Sequence, residues 1–200
     1  PRQRNVLRHW MLKLGFQPPG WQLMQRLTKE VLVSSKPGAC LECEAGLIQR
    51  YGNQLLLFRA GANLVPANRG QKLQPAAEQL LLLDDNGELR VVFSETAEAA
   101  GNSCRLRADV DELVIGYRQE GERCRLSGRP TRPLKKILQE SALAPWLRSR
   151  QPLIYSGGEL VCIPGVGVCE GFTADPDQPG REIFWQTPEL LFRSSFPVGG

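Results

Sequence analysis

The chain has 200 residues, a hydrophobic content of 42% and a net charge of only +4, values typical of a globular protein with one large or two small domains. Its longest apolar runs, such as Leu80 to Leu83, are far too short to span a membrane, and its first residues lack the layout of a signal peptide. These features exclude a membrane protein and predict a cytoplasmic location.

The first 62 residues predict a small unit in which a helical hairpin accompanies an antiparallel sheet. Apolar residues recur at the spacing of one helical face from Arg4 to Leu14 and again from Trp21 to Val31, with Pro and Gly between the two runs. Short strands separated by Gly-containing turns are expected at residues 40–43, 47–51 and 54–59. We assign residues 1–62 to this unit and expect it to be an incomplete domain.

The remainder predicts a β-rich domain with one helix. Residues 63–77, rich in Gly, Asn, Gln and Pro, are expected to form a linker before a domain of residues 78–196. Asp84-Asp85-Asn86-Gly87 separates two apolar runs and predicts a hairpin. Further strands are expected at residues 104–108, 113–117, 153–155, 159–163, 166–170 and 183–186. A helix from Leu134 to Ser141 interrupts them, so the predicted fold class is α+β.

Positive charge is concentrated between Arg123 and Arg150. This stretch holds eight of the 25 Lys and Arg residues and a single acid, Glu140, whereas the rest of the chain has 17 cations and 20 acids. Apolar residues interleave with these cations at helical spacing, which indicates a folded surface rather than a tail. Such a concentration favours a surface that binds a polyanion, and the alternative is an ordinary solvated helix face.

The cations of this stretch flank the start of the predicted helix. Leu134, Ile137 and Leu138 form its buried stripe, and Thr131 is expected to cap it. Unpaired backbone N–H groups and the positive end of the helix dipole would favour phosphate there. Trp146 could stack on a base, although a core position is the alternative that we favour. The predicted phosphate-binding residues are Arg129, Arg132, Lys135, Lys136, Arg148 and Arg150.

No catalytic or metal centre is visible in the sequence. His9 is the only histidine, which rules out a histidine-dependent triad. Ser156-Gly157-Gly158 resembles the start of the S-G-G-x-D-S phosphate loop, but Leu160 replaces the Asp and the segment is typical of a hairpin turn. Cys40-Leu-Glu-Cys43 could form half a zinc site, yet no second pair accompanies it. We therefore expect six reduced structural thiols and no bound metal.

Two segments resemble one known family. A basic helix, Leu134-Lys135-Lys136 with Gln139-Glu140, is followed by Ala144-Pro145-Trp146-Leu147-Arg148 and Pro152-Leu153-Ile154-Tyr155, and this combination resembles the C-terminal domain of tRNA(Ile)-lysidine synthetase. Ala144 stands where that family usually has Pro. The segment from Arg4 to Trp10 resembles the start of the same enzyme's substrate-binding domain. Residues 60–103 match the family poorly.

The resemblance implies a parent ligase that uses ATP and Mg to adenylate the wobble cytidine of an isoleucine tRNA and then joins free lysine to it. In that family the adenylation residues lie in an N-terminal domain that is not found in these 200 residues. Because residue 1 is Pro, we expect the chain to be part of a longer protein and to be inactive alone. It is then expected to bind tRNA, with Arg4 and Arg8 as a second set of phosphate contacts. The alternative is a protein-interaction module that docks its basic helix on an acidic partner.

Overall fold

The computed structural model describes residues 2–17, 20–34, 36, 39–59, 66, 70–74, 79–96, 105–189 and 191–197. The chain divides into two compact units, one of residues 1–64 with 189–200 and the other of residues 65–188. Three α-helices accompany fourteen strands in the described part of the chain, so the fold class is α+β, as the sequence predicts. Among the described residues, no helix is long and apolar enough to cross a membrane.

The helices are α1 (Arg2–Lys13), α2 (Trp21–Arg26) and α3 (Leu134–Glu140), with a π-helical segment at Leu27–Leu32 and a 3-10 turn at Pro145–Leu147. The strands are β1 (Cys40–Cys43), β2 (Gly46–Tyr51), β3 (Gln54–Phe58), β4 (Gln79–Leu82), β5 (Glu88–Ser94), β6 (Arg105–Arg107), β7 (Val114–Tyr117), β8 (Arg123–Cys124), β9 (Arg132–Pro133), β10 (Pro152–Ser156), β11 (Glu159–Ile163), β12 (Gly167–Val168), β13 (Gly180–Gln186) and β14 (Leu191–Pro197).

The first unit packs its helices on an antiparallel sheet of order β1-β2-β3-β14. Its core joins the apolar face of each helix to alternate residues of the sheet, for example Leu7, Met24 and Ile48, all at most 1% exposed. The predicted helical hairpin and three strands are confirmed. The fourth strand, β14, pairs with β3 and so belongs to this unit, although the sequence predicts that residues up to 196 belong to the second domain.

The second unit contains two four-stranded antiparallel sheets, of order β4-β5-β13-β6 and β12-β11-β10-β7. One buried cluster takes residues from both sheets, including Val91 and Ile154. A separate cluster joins α3 to Leu153, the neighbour of Ile154 on β10. Adjacent residues of a strand point to opposite faces, so the β10–β11 sheet is covered on both sides.

Part of the predicted linker belongs to the second unit. Residues 70–74 are described, and Leu73, 3% exposed, lies in the core of that unit. Lys72 forms an isolated antiparallel bridge with Val114 of β7. A single Leu in a polar segment produces no periodic pattern, so this pairing is invisible in the sequence. The other predicted linker residues except 66 lie outside the described residues.

Three buried arginines hold irregular segments of the second unit. Arg105 is 1% exposed and donates to the carbonyl oxygens of Ser94 and Gln178, at 3.1 and 2.7 Å. Arg181, 5% exposed, donates at 2.8 Å to the carbonyl oxygen of Val110. Arg150 is 2% exposed. Burying a guanidinium costs free energy, and these carbonyl groups offset part of the cost by accepting from its terminal N–H groups in place of water.

The predicted hairpin turn between β4 and β5 is confirmed, and its asparagine is fully buried. The side-chain nitrogen Nδ2 of Asn86 donates to the Tyr117 hydroxyl at 3.1 Å and to the backbone carbonyl oxygen of Arg150 at 2.8 Å. The backbone carbonyl oxygen of Asn86 accepts a hydrogen bond from the Trp185 indole N–H at 2.8 Å. The Arg150 guanidinium donates to the Asp85 carbonyl oxygen. The turn is therefore an internal polar junction between the strands and the segment that follows α3.

We predict that Asn86→Ala lowers the free energy of unfolding of the second unit by about 2 kcal/mol, because it removes two hydrogen bonds that are donated to buried acceptors. Chemical denaturation followed by the Trp185 indole NMR signal measures this change. Gln119→Ala, at an exposed loop position, is the control and should stay within about 0.5 kcal/mol of the parent chain. An equal loss in both variants would contradict the role assigned to Asn86.

Candidate nucleic-acid interface

Helix α3 has the predicted buried stripe. Leu134, Ile137 and Leu138 are 0%, 8% and 1% exposed and pack against the outer face of the β10–β11 sheet. This packing leaves Lys135 and Lys136 exposed on the other side of the helix. The orientation of the two lysines is thus a direct consequence of the apolar spacing in the sequence.

Helix α3 begins at Leu134, as the sequence predicts, but the predicted cap of this helix is wrong. Arg132 and Pro133 form β9, which pairs with β8, and α3 begins at Leu134 with no side-chain cap, so Thr131 does not cap it. The backbone N–H of Leu134 donates at 2.9 Å to the carbonyl oxygen of Glu122. One of the N–H groups expected to attract phosphate is therefore already bonded within the protein.

Three of the predicted phosphate-binding residues remain available at the surface. Arg129, Lys135 and Lys136 are exposed, and none of them has a carboxylate within 4 Å among the residues that the structure describes. Close ion pairs within the described residues therefore do not neutralise these charges, and a polyanion that bound there would release counterions.

A groove of about 240 Å³ brings Lys135 together with two arginines, Arg118 and Arg148. The Arg148 guanidinium donates to the carbonyl oxygens of Leu143 and Gln139, at 3.3 and 3.4 Å, and this fixes its position. No acidic residue lines the groove among the described residues. Three positive charges around one concave surface form a site for an anion such as phosphate.

Arg118 was not among the predicted site residues. It lies outside the basic stretch and directly precedes Gln119-Glu120, so local charge gives no signal for it. Only the tertiary structure brings the end of β7 beside α3.

Arg132 and Arg150 are engaged within the protein. Arg132 forms an ion pair with Glu140 at 2.8 Å, with both side chains about half exposed, so the pair contributes little stability. Arg150 is buried, and desolvation lowers the pKa of its guanidinium from its ordinary value. The structure therefore gives Arg150 an internal role in place of the predicted phosphate contact, while Arg132 stays at the surface with part of its charge neutralised.

The second predicted contact set lies on α1 in the first unit. Arg8 is exposed, whereas Arg4 is half-buried with its guanidinium carbon 5.9 Å from the centre of the Trp21 ring. This distance is that of a cation–π contact, which orients Arg4 and leaves its charge intact. Trp146, the tryptophan that the sequence suggests for base stacking or for the core, is half-buried in the 3-10 turn after α3.

The five described cysteines are free thiols, and Cys104 lies outside the described residues. Cys124 and Cys169 are buried with their sulfur atoms 2.8 Å apart, and the hydrogen bond between them raises the pKa of the Cys169 thiol. Cys40 is exposed and Cys43 half-buried on β1. No group of three His, Cys, Asp or Glu side chains that could hold a metal is found in the described part of the chain.

We predict that a chelator leaves the thermal unfolding temperature unchanged. Residues three apart on a strand point to opposite faces, so the sulfur atoms of Cys40 and Cys43 cannot close one tetrahedral site. Calorimetry with and without EDTA measures the temperature, and metal analysis of the purified protein is the control. Stoichiometric zinc, lost together with stability on chelation, would contradict the prediction.

The fold and the site define a class of protein. It is an α+β protein of two units, the second of which has a basic surface site, the cationic groove beside α3. Residues 1–56 match the family described as TilS substrate binding domain, and residues 113–185 match the one described as TilS substrate C-terminal domain. The chain therefore belongs to the TilS family through these two domains.

The relatives agree with this assignment. The chain is 32% identical to the tRNA(Ile)-lysidine synthase of Coxiella burnetii over an alignment of 190 residues. This alignment covers 94% of this chain and 41% of the Coxiella protein. It is also 32% identical over 177 residues to the tRNA(Ile)-lysidine synthase of Alkalilimnicola ehrlichii, covering 88% of this chain and 38% of that one. The chain thus spans about two fifths of these relatives. A crystal structure of a TilS C-terminal domain aligns with 60% of this chain and 98% of its own, at 23% identity and a TM-score of 0.48.

Proposed function

We propose that this chain is the tRNA-binding part of a ligase that forms lysidine on an isoleucine tRNA. The observation that carries the proposal is the groove between Arg118, Lys135 and Arg148, which has three cations and no acid among its described lining residues. The family of both domains and the names of the relatives supply the identity of the polyanion. The parent enzyme would act in the cytoplasm.

The chemistry of lysidine formation would belong to the rest of the parent enzyme. The relatives are about two and a half times as long as the matched region, so a further domain has room to bind ATP with Mg and to accept lysine. We found no residue set for these steps in the present sequence. In this proposal the chain contributes binding energy and orientation, which hold the wobble cytidine where that domain reacts.

The cationic groove suits an RNA backbone better than it suits base edges. The major groove of A-form RNA is too narrow for side chains to read, so contacts to phosphate and ribose recognise helix shape. Arg148 is held by two carbonyl groups and can offer its remaining N–H donors without losing further side-chain freedom. Arg129 and Lys136 extend the cationic surface around α3.

The first unit would provide the second contact set, through Arg4 and Arg8. We propose the unit that contains α1 as the substrate-binding domain and the unit that contains α3 as the C-terminal tRNA-binding domain. Both family matches fall within the corresponding units. Two separated patches on one chain raise affinity through effective concentration, because the second contact forms within an already bound complex.

We predict that Lys135→Glu weakens binding of an isoleucine tRNA several-fold and makes binding less dependent on salt, because fewer counterions are released. Removing one phosphate contact should reduce the slope of log affinity against log salt by a value on the order of 0.7 to 0.9. Fluorescence anisotropy titrations at several salt concentrations measure both quantities. Lys72→Glu makes the same charge change at an exposed site outside the basic stretch and should have a much smaller effect.

The alternative function predicts a different result. A basic helix that docks on an acidic protein partner would leave tRNA affinity and its salt slope the same in Lys135→Glu and in the parent chain. Equal effects of Lys135→Glu and Lys72→Glu would also contradict the proposal, because they would show only the response to net charge.

We predict that Leu138→Ala has the opposite profile. The side chain is 1% exposed beneath the groove, so its truncation should lower the free energy of unfolding by about 2–5 kcal/mol. Affinity for tRNA should change little in the fraction that remains folded, since the cations stay on the surface. Denaturation and binding measured at low temperature on the same sample test this, and an intact stability would show that α3 does not pack as described.

A further inference from the structure

A pocket of about 450 Å³ lies beside α3 and is separate from the cationic groove. Its apolar lining includes Leu126 and Ile137, which are 5% and 8% exposed, and the half-buried Val166. Arg129 and Glu140, both exposed, also line it and must lie nearer its mouth. The volume is in the range of small-molecule sites, and the pocket combines this apolar floor with several polar and charged side chains.

The turn between β11 and β12 builds one wall of this pocket. Gly165 has a φ of +73°, which favours glycine, and Val166 donates its N–H at 2.9 Å to the carbonyl oxygen of Ile163. A Cβ on Gly167 would lie 3.1 Å from Leu126, so glycine lets that leucine lie close against the strand. The Gly-Val-Gly sequence, too short to be a phosphate loop, thus shapes an apolar surface.

The polar groups at the mouth differ in what they can bind. Arg129 has no carboxylate within 4 Å among the described residues and can accept an anion. Arg132 bonds Oε2 of Glu140 at 2.8 Å, and no donor to Oε1 is found within the described part of the chain. The pocket therefore offers a cation, an apolar surface and a carboxylate acceptor within one cavity.

We propose that this pocket takes one unstacked nucleotide. The base would lie on Leu126, Ile137 and Val166, the phosphate would bind Arg129, and Oε1 of Glu140 would accept a hydrogen bond from an exocyclic amino group. A phosphate site alone would not need the apolar lining, and an apolar ligand would not need the charges. Adenine, cytosine and guanine carry such an amino group and uracil does not, so the carboxylate favours the first three.

The nucleotide could come from an unpaired position of the bound RNA or from free nucleotide. The first source rests on the proposed function and fits the position of the pocket, because the pocket shares α3 with the cationic groove. The RNA backbone would then cross the exposed cations while one base leaves the stack, as in the recognition of single-stranded RNA ends and bulges.

The test titrates the 200-residue chain with AMP, UMP and inorganic phosphate and follows the methyl NMR signals of Leu126, Ile137 and Val166. AMP should shift these signals to saturation, and UMP should bind about three- to tenfold more weakly. Glu140→Gln should narrow that difference, because an amide also donates to uracil, whereas Glu120→Gln at an exposed turn should preserve it. No saturable AMP shift, or equal affinities for AMP and phosphate, would overturn the proposal.

A second arm identifies the source and separates this proposal from the function on which it rests. A blunt RNA hairpin and the same hairpin with one unpaired 3′ adenosine are bound to the same preparation. If the extended hairpin binds more tightly than the blunt one and AMP abolishes this gain, the pocket binds a nucleotide of RNA. If the two hairpins bind equally tightly and the chain still binds AMP, the pocket binds free nucleotide. Blunt-hairpin binding without AMP binding overturns the pocket alone, and AMP binding without hairpin binding overturns only the tRNA-binding function.

Discussion

The second unit depends on charged side chains that are buried and bonded to backbone carbonyl groups. Arg105, Arg150 and Arg181 each place a guanidinium against backbone carbonyl oxygens of segments that are distant in the sequence. Removing a charge from water is unfavourable, and these hydrogen bonds offset part of that cost while they tie the guanidinium groups to the backbone. These loops therefore keep one conformation although they contain little regular structure.

The basic stretch consequently serves two purposes. Arg150 connects the segment after α3 to the Asn86 turn, and the same segment contains Arg148, which lines the cationic groove. Lys135 reaches the same groove because the apolar stripe of α3 is buried against β10. The buried Arg150 thus fixes the segment that carries Arg148 at the surface. Because Arg150 itself is internal, the net charge of the basic stretch is larger than the charge available to a ligand.

Regular elements were predictable from local pattern, and the tertiary partners of polar residues were not. The Leu134, Ile137 and Leu138 spacing predicts the helix and its exposed lysines, and Asp84 to Gly87 predicts the hairpin. Arg150 looks like any surface cation in the sequence, since burial depends on carbonyl groups far along the chain. The position of Arg118 in the groove could not be predicted either, because three separate segments of the chain line this groove.

The pairing of β14 with β3 has a consequence for the order of folding. Arg59 and Glu189, joined at this end of the sheet by a hydrogen bond of 3.1 Å, are 130 positions apart. During synthesis the ribosome releases the whole second unit before β14 can complete the sheet of the first. The entropy lost on closing so long a loop is smaller when the intervening chain is already compact, so the second unit should act as a folded spacer that brings the last strand to its partner.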